Sequence, residues 1–169
     1  MTIRIVDIDD ISEVARLEKS IEGRNAASLD TLMDRFSMFQ KGFRVAEYNG
    51  KICGYIESCR WNKESFETFE EIRNFPDFHD ENGRNLYIIF LAVDEKYRKQ
   101  GIGSSLVKSL QYYAQNNGIS KIQLASKKGL EGFYGDLGFE IVKDLPLFLY
   151  ETVNRTKILK PSTLMEFRI

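Results

Sequence analysis

The stretch RKQGIGS, residues Arg98 to Ser104, joins the most apolar run of the chain to a strongly periodic helix. The run before it, Leu86 to Val93, is too uniformly apolar for a strand that faces water on one side, which predicts a central β-strand. In the helix after it, five apolar residues share one face: Leu106, Val107, Leu110, Tyr113 and Ala114. Between strand and helix, Gly101 and Gly103 predict a tight turn whose successive N–H groups meet at one point, a geometry that binds phosphate.

Two known nucleotide-binding loops are excluded for this turn. A Walker-type loop closes with Gly-Lys-Ser/Thr, whereas Gly103 is followed by Ser104 and Ser105. A dinucleotide fingerprint would need a third glycine and an acidic residue about 20 positions downstream, but here Asp94 and Glu95 precede the turn. The pattern that remains is Arg-x-x-Gly-x-Gly, and a tight loop without a ligand is its structural alternative.

A second motif, FYGDLGF at residues 133–139, lies about 30 residues further on. Together with Leu91-Ala92-Val93 and Arg98-x-x-Gly101-x-Gly103 it resembles the acetyl-CoA core of the GCN5-related N-acetyltransferases. A helix and a strand-like segment, Lys121 to Ala125, separate the two motifs in the expected order, and the resemblance covers roughly Ile3 to Val142. It implies a single domain over residues 1–169 with an α/β fold, a mixed central sheet of about six to seven strands and about four flanking helices.

The resemblance also implies where acetyl-CoA would bind as co-substrate. Main-chain N–H groups of the turn would take the pyrophosphate, and the side chains of Arg98 and Lys99 would add positive charge. The pantetheine arm would run beside the end of the apolar strand, where a main-chain N–H near Leu91 would polarise the thioester carbonyl. The expected cofactor-binding residues are Leu91, Ala92, Val93, Arg98, Lys99, Gln100, Gly101, Ile102, Gly103 and Ser104. A place in the core is the structural alternative for Leu91 and Val93.

Tyr134 is the expected catalytic residue, because the tyrosine at this place in the resembled motif lies near the cofactor sulfur and can protonate the leaving thiolate. A packed aromatic ring beside Phe139 is the structural alternative. The chain departs from the family upstream of this tyrosine, where Lys127 and Leu130 replace the usual Asn and Ala. Lys127 or Lys128 could instead meet cofactor phosphates, and solvated charges are the alternative for both.

The sequence leaves the general base open. The layout around Tyr87 resembles the arylalkylamine branch of the family, but that branch has histidines where this chain has Tyr87 and Ile89. Tyr87, Glu57, His79 or a water molecule are the candidates. The missing base suggests a rival function, an acyl-CoA-binding sensor module without turnover. We predict an enzyme, because a water chain can take the proton of the amine.

The expected acceptor is the primary amine of a small molecule, which attacks directly in a ternary complex, and protein N-termini or lysines are the alternative. Seven carboxylates lie between Glu64 and Glu81 and would attract a cationic acceptor. Phenylalanines interleave with these charges, which predicts a lid or short helix. A solvated insertion is the alternative for this acidic segment.

Elsewhere the pattern predicts elements that support the turn. A strand at residues 3–6 precedes a helix from Ile11, capped by Asp9 and Asp10 and ended by Gly23, and a second helix starts at Ser28. Asn49-Gly50 predicts a type I′ hairpin. A C-terminal strand at residues 163–169 should pair beside residues 139–142. The register of residues 145–161 is not indicated.

Composition bounds the partners. The 169 residues carry a net charge of −1, so no global field favours nucleic acid. No apolar run approaches a membrane span, and the start of the chain has no signal-peptide character, which predicts a cytoplasmic protein that does not bind membranes. With one histidine, His79, and two cysteines, Cys53 and Cys59, no metal site is expected. The cysteines should be reduced, and the protein should be a monomer or homodimer.

Overall fold

Four α-helices and seven strands form in the part of the chain that the computed structural model describes, residues 1–64, 78–153 and 156–169. For residues 147–153, 156, 157 and 159 only the main chain is described. The helices are α1 (Ile11–Glu22), α2 (Leu29–Phe39), α3 (Ile102–Gln115) and α4 (Glu131–Gly135). The strands are β1 (Thr2–Ile5), β2 (Phe43–Tyr48), β3 (Lys51–Trp61), β4 (Asn85–Val93), β5 (Lys121–Lys127), β6 (Glu140–Val153) and β7 (Thr156–Arg168).

The strands form one mixed sheet in the order β1-β2-β3-β4-β5-β7-β6. β4 and β5 are parallel, whereas β2 pairs antiparallel with β1 and β3, and β7 pairs antiparallel with β5 and β6. β4 has the middle place in the order, as its uniformly apolar sequence predicts. The predicted α/β class, mixed sheet and number of helices are therefore confirmed for the described residues.

By its internal packing the chain divides into two compact units. The first unit comprises residues 1–59 and 89–113, and the second unit comprises residues 60–88 and 114–169. The two ends of β4 thus belong to different units. A single domain over residues 1–169 stays a prediction.

The first unit packs α1 and α2 against a hairpin. Asn49 and Gly50, between β2 and β3, have φ of 50° and 72°, as a type I′ turn requires, and the predicted hairpin is confirmed. The hydroxyl of Ser28 accepts a hydrogen bond from the Thr31 N–H at 3.1 Å, so the helix predicted from Ser28 is also confirmed. The core contains side chains from both helices and the strands, among them Val14, Leu17, Leu32, Phe43, Val45 and Tyr55.

The start of α1 corrects one prediction, because Asp10 does not cap the helix through its side chain. The Asp10 carboxylate instead accepts hydrogen bonds from the Arg4 guanidinium at 2.6 and 2.8 Å and from the Asp7 N–H at 2.7 Å. Asp7 caps a short 3-10 turn before the helix. Arg4 comes from β1, and local sequence rules cannot reveal a partner from another element.

In the second unit, β7 lies between β5 and β6. The predicted C-terminal strand is confirmed by the register Glu140↔Glu166 and Ile141↔Met165. β6 extends to Val153 and β7 begins at Thr156. Residues 145–153 and 156–161, whose register the sequence does not indicate, therefore belong to two long antiparallel strands. Residues 65–77 of the acidic segment lie outside the described residues, and the lid or short helix stays a prediction.

Candidate active site

A short connection carries the chain from β4 to α3. The Asp94 carboxylate accepts a hydrogen bond from the Lys96 N–H at 2.9 Å and starts a 3-10 turn. The Nε of Arg98 donates to the Val93 carbonyl at 3.1 Å. The Arg98 side chain therefore holds the connection against the end of β4, which leaves the main chain after it to form the bend.

The bend itself lies at Lys99 and Gly101, which have left-handed φ of 60° and 78°. Gly103, predicted to share the bend, lies inside α3 and is not among the residues with positive φ. The predicted tight turn is confirmed at Gly101, whereas Gly103 lies in the helix and takes no part in the left-handed bend. Sequence rules assign positive φ chiefly to Gly, Asn and Asp, so they miss a lysine in a conformation that costs an L-residue about 1–2 kcal/mol.

The N-terminus of α3 supplies the donors that an anion needs. The Ser105 N–H makes an early hydrogen bond of the helix, to the Gly101 carbonyl at 2.9 Å. The N–H groups of the helical residues before it have no acceptor inside the helix. α3 has 14 residues and no acidic residue in its first turn, so its dipole places uncompensated positive potential at this end. The turn therefore fits a pyrophosphate.

Gly54 on β3 supports this arrangement, a role that was not predicted from the sequence. A Cβ at this position would lie 2.9 Å from the Ala92 carbonyl oxygen and 3.3 Å from Cγ2 of Ile102. Only a glycine lets β3 approach both the end of β4 and the start of α3 so closely. An isolated glycine inside a strand pattern was the available signal.

The parallel ladder between β4 and β5 is short. It covers Asn85 to Ile88 on β4, and residues 91–93 lie beyond it. On β5, the Ala125 N–H donates to the Tyr87 hydroxyl at 3.2 Å. Where the ladder ends, the hydroxyl of Tyr87 on β4 thus accepts the hydrogen bond of the Ala125 N–H. The main chain of residues 91–93 takes no part in this ladder.

The side chains of the three residues expected beside the pantetheine arm belong to the packing. Ala92 is buried in the core of the first unit, and Leu91 and Val93 are half-buried. Core packing and a main-chain role are compatible, because the pantetheine contact would be made by N–H and C=O groups.

Tyr134 lies on α4 in the second unit and is 8% exposed. Its ring packs edge-on against Phe133 and Phe139, with centroid distances of 4.9 and 5.8 Å. Its hydroxyl makes no hydrogen bond within the described part of the chain, and burial raises the pKa of Tyr134 to about 12. The residue is thus a packed aromatic ring that also carries a protonated, unused hydroxyl.

Lys128 is held by a salt bridge. Its Nζ lies 2.5 Å from Asp144 Oδ1 and 3.0 Å from the Thr163 hydroxyl. Its ammonium group is therefore already paired in this structure, and a phosphate contact from Lys127 or Lys128 stays a prediction.

Glu57, one of the three candidate side chains for the general base, is a buried half of an ion pair. It is 1% exposed, and its Oε2 lies 3.0 Å from Nη1 of Arg35. Its other oxygen is buried and has no partner among the residues described. Burial raises the pKa of Glu57 despite the opposing effect of Arg35. A raised pKa makes a carboxylate a stronger base, but this one is enclosed.

The other two candidate bases also have structural partners. His79 accepts a hydrogen bond from the Arg60 N–H at 3.3 Å through Nδ1, and burial lowers the pKa of its imidazole. Tyr87 is buried, and its hydroxyl accepts the hydrogen bond from Ala125. Each of the three candidate bases thus has a structural partner: an ion pair for Glu57 and a hydrogen bond for His79 and for Tyr87.

Metal ligands do not cluster in the part of the chain that the structure covers, where no group of three or more His, Cys, Asp or Glu side chains could hold an ion. Cys53 and Cys59 are buried, and neither forms a disulfide in the part of the chain that the structure describes. Among the described helices, none is both long and apolar enough to cross a membrane.

Comparison with known proteins identifies the family. The model of the acetyltransferase (GNAT) family matches residues 8–139. The chain belongs to this family, as the two motifs predict. Nothing in the comparisons singles out the arylalkylamine branch.

The relatives and solved structures refine the likeness. A 78-residue stretch is 38% identical to N-alpha-acetyltransferase 30 of Homo sapiens, and it covers 44% of this chain but only 21% of the human protein. The loading GNATL domain of CurA from Lyngbya majuscula superposes with a TM-score of 0.80 at 20% identity, over 99% of this chain and 96% of that one. Chaetomium thermophilum Naa20, solved with a bisubstrate analogue, superposes with a TM-score of 0.75 at 17% identity, over 100% of this chain and 87% of that one. At these identities the two structures show the fold alone.

Proposed function

We propose that the chain transfers the acetyl group of acetyl-CoA to a primary amine. The observation that carries this proposal is the left-handed bend at Lys99 and Gly101 that opens into the N-terminus of α3. Such a helix start binds phosphate, and membership of the GNAT family makes acetyl-CoA the expected ligand. Residues 98–104 would hold the pyrophosphate, and the main chain of residues 91–93 would hold the pantetheine arm.

The proposed reaction is direct. The amine nitrogen attacks the thioester carbonyl carbon, a C–N bond forms as the C–S bond breaks, the amine loses a proton and the sulfur gains one. A main-chain N–H near Leu91 would stabilise the negative charge on the carbonyl oxygen. The chain itself must hold the thioester and assist the two proton transfers.

We assign the sulfur side of the reaction to Tyr134. Burial raises its pKa to about 12, so the hydroxyl is protonated at any physiological pH. A thiol titrates near ~8.5, so complete transfer of the phenol proton would be uphill by roughly 3.5 pKa units. Tyr134 would therefore donate a hydrogen bond to the departing sulfur, and water would supply the proton that remains on it.

The acceptor that needs least help from this site is the α-amino group of a peptide. The attacking amine must be neutral, and an α-amine with a pKa of ~7.7 is roughly one-sixth neutral at pH 7. A lysine-like amine with a pKa of ~10.4 is neutral in only about 0.04% of molecules. Because Glu57, His79 and Tyr87 all have structural partners, an acceptor of low pKa is favoured, and the name of the human relative supports the same acceptor.

A small-molecule amine is the second candidate. The observation in its favour is the acidic segment, of which Glu64, Asp80 and Glu81 are described. Glu64 is already paired with Lys121, so the remaining carboxylates of the segment would have to attract the amine. A cationic amine attracted in this way would show a KM that rises with ionic strength, because charges are screened over about 8 Å at physiological salt.

The acceptor panel that tests the proposal has three matched parts: a lysine-free peptide with a free N-terminus, the same peptide blocked at its N-terminus and carrying one lysine, and a set of small amines. Release of free CoA is measured, and mass spectrometry locates the acetyl group. We expect the free α-amine to be acetylated with a kcat/KM at least tenfold above the others. Acetylation of small amines alone would mean that the acceptor is a small-molecule amine and not a peptide α-amine. Acetyl-CoA binding without release for any acceptor would favour the sensor module, and no acetyl-CoA binding would overturn the proposal.

A further inference from the structure

A polar pocket in the second unit uses none of the residues assigned to acetyl transfer. It lies where β4 and β5 begin and β7 ends, and its volume is about 360 Å³. Its lining includes three cations and two carboxylates: Arg84, Lys121, Arg168, Glu64 and Glu166. Every described residue that lines it is polar or charged, which distinguishes it from the usual apolar ligand pocket.

The two carboxylates are already neutralised. Nζ of Lys121 lies 2.8 Å from Glu64 Oε2 and 3.2 Å from Glu166 Oε2. Glu166 also accepts hydrogen bonds from Arg168 Nε at 2.9 Å and from Gln123 Nε2 at 3.0 Å. Burial lowers the pKa of Lys121, but its hydrogen bonds to the two carboxylates outweigh that effect and raise the pKa overall. The ammonium therefore stays charged, and neither carboxylate is left to bind a cation.

The guanidinium groups have donors left for a ligand. In the part of the chain that the structure describes, the Arg84 side chain makes no ion pair, and Arg168, whose side chain is 84% exposed, uses its Nε for Glu166. Three cations against two carboxylates leave these lining residues with a net charge of +1. A guanidinium presents a planar fork of N–H donors that matches a carboxylate. The hydroxyl of Ser120, which also lines the pocket, adds one more group that can donate.

We propose that this pocket binds a small organic carboxylate, held by the guanidinium groups of Arg84 and Arg168 and by the Ser120 hydroxyl. The net charge of +1 suits one carboxylate group, whereas a phosphate dianion would leave excess negative charge beside Glu166. The volume is at the small end of the ~300–1,000 Å³ of ligand pockets, and the polar lining suits a ligand with little apolar surface. This site is additional to acetyl transfer and does not depend on it.

Calorimetric titration of the full chain with propionate and lactate, which carry one carboxylate each, tests the proposal, with inorganic phosphate for comparison and the ionic strength held constant with NaCl. The variant is Arg84→Gln, and the matched control is Arg16→Gln on α1, whose side chain is 77% exposed and lies in the first unit. We expect saturable carboxylate binding by the wild type and the control, at least tenfold weaker binding by Arg84→Gln, and the same acetyl-CoA affinity in all three.

Three results would overturn the assignment: no saturable carboxylate binding by the wild type, equal carboxylate affinity in Arg84→Gln, or tighter binding of phosphate than of both carboxylates. If Arg84→Gln did not fold, Ser120→Ala would replace it, with a threefold or greater loss expected. Because acetyl-CoA affinity is measured in the same proteins, failure here is distinguishable from failure of the acetyl-transfer proposal.

Discussion

The turn at residues 98–104 and the tyrosine on α4 would act on the same co-substrate by opposite means. The turn offers main-chain N–H groups, so its chemistry depends on the backbone conformation at Lys99 and Gly101. Tyr134 offers one side-chain hydroxyl, whose pKa burial raises to about 12. A site made of backbone is sensitive to conformation, and a site made of one hydroxyl is sensitive to the loss of a single atom.

The difference separates affinity from rate. Main-chain groups that hold the pyrophosphate bind it equally before and during reaction, so they change affinity and leave the chemical step alone. A donor that meets charge on the sulfur acts only as that charge develops, so it changes the rate. If each region has one role, no variant will change both.

The largest effect is expected for Tyr134→Phe, which keeps the ring and deletes the hydroxyl. One preorganised hydrogen-bond donor to developing charge typically supplies 10²- to 10³-fold in rate, about 2.7 to 4 kcal/mol of barrier. Single-turnover rates should fall within that range with acetyl-CoA affinity unchanged. The deficit should stay nearly constant between about pH 7 and about pH 9, because the hydroxyl remains protonated below its pKa of about 12 and donates its hydrogen bond throughout that range.

Two outcomes would break that assignment. Wild-type single-turnover rates at pH 7 would reduce Tyr134 to a packing residue beside Phe133 and Phe139. A deficit that shrinks above pH ~8.5, where a free thiolate is stable, would point to transfer of the phenol proton instead of hydrogen-bond donation.

Tyr87→Phe deletes a second buried hydroxyl, the one on β4, and should affect stability instead of rate. It would leave the half-buried Ala125 N–H without its acceptor, and since an unsatisfied donor costs about 1–3 kcal/mol when fully buried, we expect the lower half of that range here. Urea denaturation should show a lower free energy of unfolding by that amount, with single-turnover rates within about twofold of wild type. A loss of rate without a loss of stability would instead identify Tyr87 as the general base.

The smallest effects separate the two glycines of the turn. Gly101 has φ of 78°, and an added Cβ would meet nothing within 4 Å, so Gly101→Ala should cost only the conformational ~1–2 kcal/mol of unfolding free energy. Gly103 lies inside α3, where alanine should be neutral or stabilising by up to about 1 kcal/mol. Calorimetry should show weaker acetyl-CoA binding by both variants. Wild-type affinity in both would exclude the turn as the pyrophosphate site.

Elements coded by local pattern could be predicted. The apolar run of β4, the periodic face of α3 and the Asn49-Gly50 hairpin each appear as expected, because burial, helical period and left-handed turns are written in neighbouring residues. The two family motifs could be recognised for the same reason, because a Gly-x-Gly helix start and a tyrosine on a short helix are also local features.

Partners from distant parts of the chain could not be predicted. The Arg35–Glu57 ion pair joins α2 to β3, and the Arg4–Asp10 pair joins β1 to the start of α1. Neither ion pair produces a periodic pattern that could be recognised in the sequence. The general base was open for the same reason, because the availability of a carboxylate or imidazole depends on what packs around it.

Gly54 has a consequence for how the chain can change over generations. Tolerance to substitution usually follows exposure, or distance from the reacting atoms. At position 54 the obstacle is the carbonyl oxygen of Ala92, a main-chain atom 2.9 Å from where any Cβ would stand, and it cannot turn aside as a side chain can. A residue with no side chain and no reacting group should therefore be among the slowest positions to drift, and a substitution there would have to be preceded by a change in the path of β4 itself.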